Sequence, residues 1–313
     1  MHLLHLGFIC SKADSSLFTL QAHKGTIFLL LYVDDIIITG SNPSHVFELV
    51  RQLGKEFSMK DLGPLHFFLG VEVKYFDGGI HFSQSKYVVE LLDKAEMTLA
   101  KVVATHLAQN HGLHEVVGIM IDASFYRMIV GSLQYLTLTR PDITHAVNLP
   151  SQFMQNSNSE HLQMVKRILR YIKGCMDTHA DWGGCTTTRR STTGYSIYIG
   201  ANCISWTSKK QSTVARSSAE AEYRALASIA ATMTWIIYLL HDLEVFLRSV
   251  PTLYYDNMSA LYMTVNPVMH ARTKHVEIDY HFVREKVVRG QLLTQFVRSK
   301  DQLADIHTKS LTK

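Results

Sequence analysis

The sequence is short of the devices that staple a chain or anchor it. It has only four cysteines, Cys10, Cys175, Cys185 and Cys203, and no two stand at CxxC spacing. That favours reduced thiols packed as small apolar groups over a disulfide framework or a cysteine zinc site. Asp34 and Asp35 break the longest apolar run, and neither half approaches the ~20 residues that span a bilayer. The opening "MHLLHLGFICSKADSS" has no basic segment and no clear cleavage site, so no signal peptide is expected. Internal repeats and low-complexity tracts are also missing. The expectation is an intracellular protein, cytoplasmic or nuclear, that is not secreted and has no membrane partner. A strong charge of either sign is lacking too: the formal net charge is +4, which permits a nucleic-acid partner without requiring one.

What the chain does have is apolar residues, 47% over 313 positions, enough for packed cores and for two domains. Residues 26–32 and 36–39 read as two strands with a turn at the acids, because large and β-branched residues run almost unbroken. A helical stripe follows over 43–57, with apolar residues at 46, 49, 50, 53 and 57. A hairpin is predicted around Gly78-Gly79 and a helix over 85–96. The stretch 98–122 reads as a connecting segment. Helices are predicted near 124–138 and 159–173, with Pro141 and Pro150 punctuating between them.

After Gly174 the texture changes. Two short strands, "GYSIYIG" and "NCISWTS", precede a long helix at 217–245 whose Ser217 and Glu220 stand at capping-box spacing. Its Met233, Ile236, Ile237 and Leu240 read as core. A strand "TLYYD", helices near 257–264 and 276–289, a strand "LLTQFV" and a short helix from Asp301 complete an α/β pattern.

Asp34 and Asp35 in "LLYVDDIIITGS" raise the first chemical question. Adjacent acids in a hairpin are ordinarily a solvated turn. Between two apolar strands they also suit hard cations: Mg²⁺ takes oxygen ligands, and phosphoryl transfer uses two ions about 3.5–4 Å apart.

"LLYVDDIIITGS" resembles the Tyr-x-Asp-Asp motif of reverse transcriptases in its copia-type LTR retrotransposon form. "FSMKDLGPLHFFLGVEV", "YRMIVGSLQYLTLTRPDITHAV", "ISWTSKKQSTVARSSAEAEYRAL" and "RTKHVEIDYHFVREKV" resemble successive blocks of the same Pol polyprotein, in order and over nearly the whole chain. The resemblance implies a fold of α/β and α+β character. Residues 1–97 would be a partial reverse transcriptase palm, with Asp34 and Asp35 as catalytic metal ligands and "FFLGVEV" in primer-grip strands. Residues 98–174 would form thumb and connection helices, and 175–313 an RNase H-like domain with a mixed sheet. The family's palm carries a third catalytic Asp upstream. Only 31 residues precede Tyr32, and their single acid, Asp14, belongs to the block just before the hairpin. DNA synthesis by this chain alone is therefore not expected.

For the RNase H-like part the resemblance implies two Mg²⁺ held by about four carboxylates. Glu222 on the long helix, Asp256 at the end of "TLYYD" and Asp305 in "DQLADIHTK" match three of them, while Glu220 reads as a cap residue. Where the family has its first Asp, this chain reads "THADWGG", with His179 in the ligand position. A neutral imidazole cannot bridge two Mg²⁺ ions. Asp181 lies on the same strand face, but over ~6 Å away at strand rise. Only "CMDTH" separates Gly174 from Ala180, so the family's first strand is expected to be lost or damaged. Arg189, Arg190, Lys209, Lys210 and Arg216, with Tyr195 and Trp206, suit phosphate contacts along an RNA–DNA hybrid or another nucleic acid, and equally suit a solvated surface. His270, His275 and His281 fit no tight metal site and read as packing or surface residues. Two readings follow: a truncated Pol fragment with impaired RNase H, which a fuller Pol chain could complement in trans, or a catalytically dead nucleic-acid-binding remnant.

Overall fold

In the computed structural model, residues 2–23, 25–107, 118–174, 191–215, 217–265 and 277–309 are described. They fall into two compact units, one of residues 1–66 with 229–250, the other of residues 67–228 with 251–313.

The first unit is organised by the apolar run around the paired acids. After a short helix α1 (His2–His5), four antiparallel strands lie in sequential order: β1 (Ile9–Cys10), β2 (Leu17–Ala22), β3 (Gly25–Tyr32) and β4 (Asp35–Gly40). Ile27 and Leu29 on β3 point to one face and are almost fully buried, as the two-residue period of a strand requires. They meet Leu49 and Leu53 of helix α2 (Pro43–Glu56), and Phe8 completes the cluster. Asn42 caps α2 by accepting hydrogen bonds from the backbone N–H groups of Ser44 and His45, and Pro43 fits the first turn, where no donor is needed.

The turn does not centre on the two acids as expected. Tyr32 pairs with Asp35, which leaves Val33 and Asp34 as the two-residue loop and makes Asp35 the first residue of β4. Val33 takes φ +51°, a left-handed conformation rare for a β-branched residue, and it is 80% exposed.

The second unit opens with a three-stranded antiparallel sheet: β5 (Phe67–Phe68), β6 (Val71–Phe76) and β7 (Gly79–Ser83). Leu69 and Gly70, both at positive φ, make the tight β5–β6 turn, and the Tyr135 hydroxyl donates to the Leu69 carbonyl. Helices α3 (Ser85–Lys94), α4 (Ala123–Leu136), α5 (Thr144–Ser151) and α6 (Ser159–Gly174) enclose the largest core. Tyr126, Ile129, Val130 and Leu133 of α4 face Val165, Ile168, Leu169 and Ile172 of α6 there. Each such aliphatic side chain contributes about 1.5–3 kcal/mol through burial.

Pro150 does not separate two helices. It sits in the last turn of α5, where its missing N–H costs little, and its carbonyl accepts from the buried Tyr126 hydroxyl at 2.9 Å. Arg140 forks onto Asp142 at 2.8 and 2.7 Å, and the Tyr171 hydroxyl donates to the same carboxylate. Arg140 therefore holds the Asp142 carboxyl below its ordinary pKa despite burial that works the other way.

Beyond α6 come the hairpin β8 (Thr192–Ile199) and β9 (Asn202–Lys210), helix α7 (Ser218–Asp242), strand β10 (Thr252–Tyr255), helices α8 (Met258–Val265) and α9 (Glu277–Val288), and strand β11 (Leu293–Phe296). The short helix expected from Asp301 is two 3₁₀ turns, Ser299–Asp301 and Leu303–His307. β10 and β11 pair in parallel, and β8 and β9 antiparallel. Among the described residues these are two separate two-stranded sheets, not one mixed sheet. The segment in which a first strand was expected lies outside the described residues.

Helix α7 is long and apolar enough by length and composition to cross a membrane. Its Glu220, Glu222 and Arg224, and the burial of Tyr223, Leu226, Ala230, Met233 and Ile236 within the protein, are the marks of a core helix. It belongs to both units. Its later turns serve the first, where the Trp235 indole N–H donates to the Ala13 carbonyl and the Ser11 hydroxyl to Asp242.

Candidate functional site

The acids singled out in the sequence occupy two separate places. Asp34 and Asp35 project from the tip of the β3–β4 hairpin, both exposed, and among the described residues neither has a salt-bridge partner. Asp14, the one acid upstream, is a turn former: its carboxylate accepts from the backbone N–H and the hydroxyl of Ser16 at 2.9 and 2.6 Å. No third acid joins the hairpin pair among the described residues.

Glu222, Asp256 and Asp305 all lie in the second unit and are brought into electrostatic reach of one another. Each arrives on a different element. Glu222 stands near the start of α7, whose first turn is capped by the Ser217 hydroxyl accepting from the Glu220 N–H at 3.1 Å. The Glu220 carboxylate turns away to pair with Arg224 at 2.8 Å. Asp256 follows β10 directly, and the next residue, Asn257, caps α8 through the N–H groups of Ser259 and Ala260. Acids at such strand-to-helix turns face outward beyond the carboxyl end of the strand. Asp305 sits in the second 3₁₀ turn.

That last turn is fixed by β8, through residues the sequence reading passed over. Gly194 leaves no room for a side chain, since a Cβ there would stand 2.5 Å from Thr308 Cγ2 and 2.8 Å from His307 Cβ. One strand pleat along, Ser196 Oγ meets His307 Nε2 at 2.8 Å. His307 is fully buried, and burial lowers its pKa to about 4, so the imidazole is neutral. Gly194, Ser196 and His307 thus hold Asp305 in place without touching its carboxylate.

The three acids repel. Glu222 has its pKa raised, first by burial and then by the negative charges of Asp256 and Asp305, while Lys309 opposes the shift. Ionising Glu222 in the folded protein is therefore costly, and its contribution to stability falls as pH rises from the ordinary Glu value through the raised one. Asp256→Asn removes one repelling charge and is expected to move the Glu222 pKa back toward ordinary. Carboxyl carbon NMR titration reads this directly, and an unmoved pKa would mean that the acids do not share a site.

The donors are all oxygen, the right chemistry for Mg²⁺. Their placement does not complete a metal site: among the described residues no three acids, histidines or cysteines stand close enough together to hold one ion. What pairs with Asp305 is a cation of the chain itself, Lys309 Nζ, 2.6 Å from Asp305 Oδ2. The i, i+4 spacing of these two residues was legible in the sequence.

His179, Asp181, Arg189, Arg190 and Arg216 lie outside the described residues, as do His270 and His275. Of the basic positions expected to meet phosphate, Lys209 is exposed and Lys210 donates to Gln152 Oε1 at 2.7 Å. The Trp206 indole N–H is spent on the Thr137 carbonyl at 2.8 Å.

Residues 1–109 match the family model of reverse transcriptase (RNA-dependent DNA polymerase). The whole chain is 45% identical to the retrovirus-related Pol polyprotein from transposon RE1 of Arabidopsis thaliana and covers 22% of it. It is 37% identical over 90% of its length to the Pol polyprotein from transposon TNT 1-94 of Nicotiana tabacum, of which it covers 23%. An uncharacterized mitochondrial protein of Arabidopsis thaliana is 45% identical over 67% of this chain, and 94% of that protein is covered. The chain thus spans less than a quarter of the two transposon polyproteins. No solved structure matches it.

Proposed function

Because the chain belongs to the copia-type retrotransposon Pol family and matches its reverse transcriptase part, we propose that it is a Pol fragment with a partial palm over 1–97, thumb and connection helices over 98–174, and an RNase H-like domain over 175–313. The observation that carries the RNase H reading is the convergence of Glu222, Asp256 and Asp305, from three separate elements, into mutual electrostatic reach.

In this reading the palm hairpin persists without DNA synthesis, since Asp34 and Asp35 have no third carboxylate beside them among the described residues. The nucleic-acid partner is an RNA–DNA hybrid, met by Lys209 on exposed β9 and by Arg189, Arg190 and Arg216. Asp34 and Asp35 would be the palm's Mg²⁺ ligands, and Glu222, Asp256 and Asp305, with Asp181 standing in for His179, those of the RNase H-like part. The reaction class is hydrolysis of the RNA strand, in which bound Mg²⁺ would activate water and steady the leaving oxygen. As the acids stand, no hydrolytic step can be derived from them. Protein located in the cytoplasm or nucleus, and complemented by a fuller Pol chain in trans, completes this picture.

The test is cleavage of a labelled RNA–DNA hybrid by the purified chain in Mg²⁺ and then Mn²⁺, beside Asp256→Asn and His179→Asp. The expected result is weak or no cleavage by the natural chain and a gain of at least tenfold in His179→Asp, of the size that one electrostatic group contributes. Cleavage by the natural chain that survives Asp256→Asn would sink the assignment of the site. The second reading, a silent nucleic-acid-binding protein, is favoured by the Lys309–Asp305 pair. It predicts hybrid binding with no turnover in any of the three proteins.

A further inference from the structure

The disagreement between the donor chemistry and the placement of the three acids has a physical occupant. Lys309 Nζ lies 2.6 Å from Asp305 Oδ2, and its positive charge also acts on Glu222, against the repulsion from Asp256 and Asp305. The Lys309 backbone N–H donates to the Asp305 carbonyl at 2.9 Å, so the two residues are joined by main chain as well as side chain. Asp305 is mostly covered, with 29% of its side chain exposed, whereas the Lys309 side chain is 61% exposed. The carboxylate is fixed and the ammonium is free to leave.

We propose that Lys309 is the resident counter-ion of the acid cluster, a tethered cation that occupies Asp305 and that a divalent metal must displace in order to bind. This rests on the RNase H reading of the three acids. An exposed ion pair of this kind is weak in water, so the lysine withdraws at little cost and sets a threshold for metal without sealing the site. Lys309 contacts no reacting atom in this scheme. Its effect is on the affinity of the cluster for cations, and through that on the ionic conditions under which the cluster can act.

The experiment is a titration of the full chain with Mn²⁺, with free ion read by electron paramagnetic resonance, on the natural chain, Lys309→Gln, Lys309→Arg and Asp256→Asn. Removing one positive charge from direct contact with Asp305 should tighten Mn²⁺ binding in Lys309→Gln by about tenfold. Lys309→Arg, which keeps the charge, should stay near the natural affinity, and Asp256→Asn should weaken binding. Circular dichroism confirms that each variant is folded, which the exposure of Lys309 favours. Equal or weaker binding in Lys309→Gln, with Asp256→Asn still weaker, would overturn the role of Lys309 and leave the site standing. No Mn²⁺ bound by the natural chain or by Lys309→Gln would overturn both.

Discussion

Gly194→Ala is expected to dislodge the carboxyl-terminal turn and to cost at least about 3 kcal/mol, the upper part of the range for overpacking a close-packed site. The reason is local and steric. The new Cβ would lie 2.8 Å from His307 Cβ and 3.1 Å from the His307 main-chain carbonyl carbon, neither of which is the free end of a flexible side chain. Only Thr308 Cγ2, at 2.5 Å, could swing aside. The 3₁₀ turn must move as a whole, taking Asp305 away from Glu222 and breaking the Ser196–His307 bond. Two measurements check this. The urea midpoint should fall, and the Thr308 and Lys309 amides, which donate to the Asp305 carbonyl at 3.1 and 2.9 Å, should lose protection from hydrogen exchange. Unchanged protection would mean that β8 does not hold the turn.

The second large effect is a loss of stability in acid. Burial lowers the His307 pKa from 6.5 to about 4, so in that interval the unfolded chain binds a proton that the folded chain refuses. Stability is then fully present above pH 6.5 and falls as pH drops toward 4. At 1.36 kcal/mol per pKa unit the loss is on the order of 3 kcal/mol. His106 adds to it in the same direction, since burial also lowers its pKa, against the opposing pull of Asp142. Urea denaturation of the natural chain and of His307→Gln at pH 7 and pH 4 isolates the contribution. The variant starts less stable and should lose less on acidification. Equal losses in the two proteins would show that His307 is protonated without consequence.

Much of the fold was legible because periodicity decides it. The alternation in β6 and β7 and the stripes of α2, α4 and α6 each bury one face, and burial is what the apolar pattern encodes. The errors fell where a turn's conformation or a short element decides. The acids at the hairpin looked like the loop, yet Val33 supplies the left-handed residue and Asp35 joins the strand, a choice that β-branching argues against. α5 is only eight residues long, too short for a stripe to show, and Pro150 hid its end. The acid cluster is a different matter. Nothing in the spacing of Glu222, Asp256 and Asp305 requires them to meet, and their identification came from resemblance alone. The supports at Gly194 and Ser196 gave no signal at all, because a glycine and a serine in a strand carry no mark of what will pack on them.

Helix α7 has one more consequence, which concerns the order of assembly during synthesis. The sheet β1–β4 and helix α2 emerge first, but the segment 229–250 that completes their unit is made last among its parts. The hydrogen bonds from Trp235 to Ala13, from Thr26 to Glu244 and from Gln21 to Glu244 all join residues more than 200 positions apart. At 5–20 residues per second, roughly 10–40 s pass between the release of the sheet and the arrival of its last element. Through that interval the nascent sheet lacks these partners, and closing the contact carries the entropy of a very long loop. A polypeptide stopped anywhere short of Ile229 would never acquire them, even with every residue of the hairpin and its two acids present.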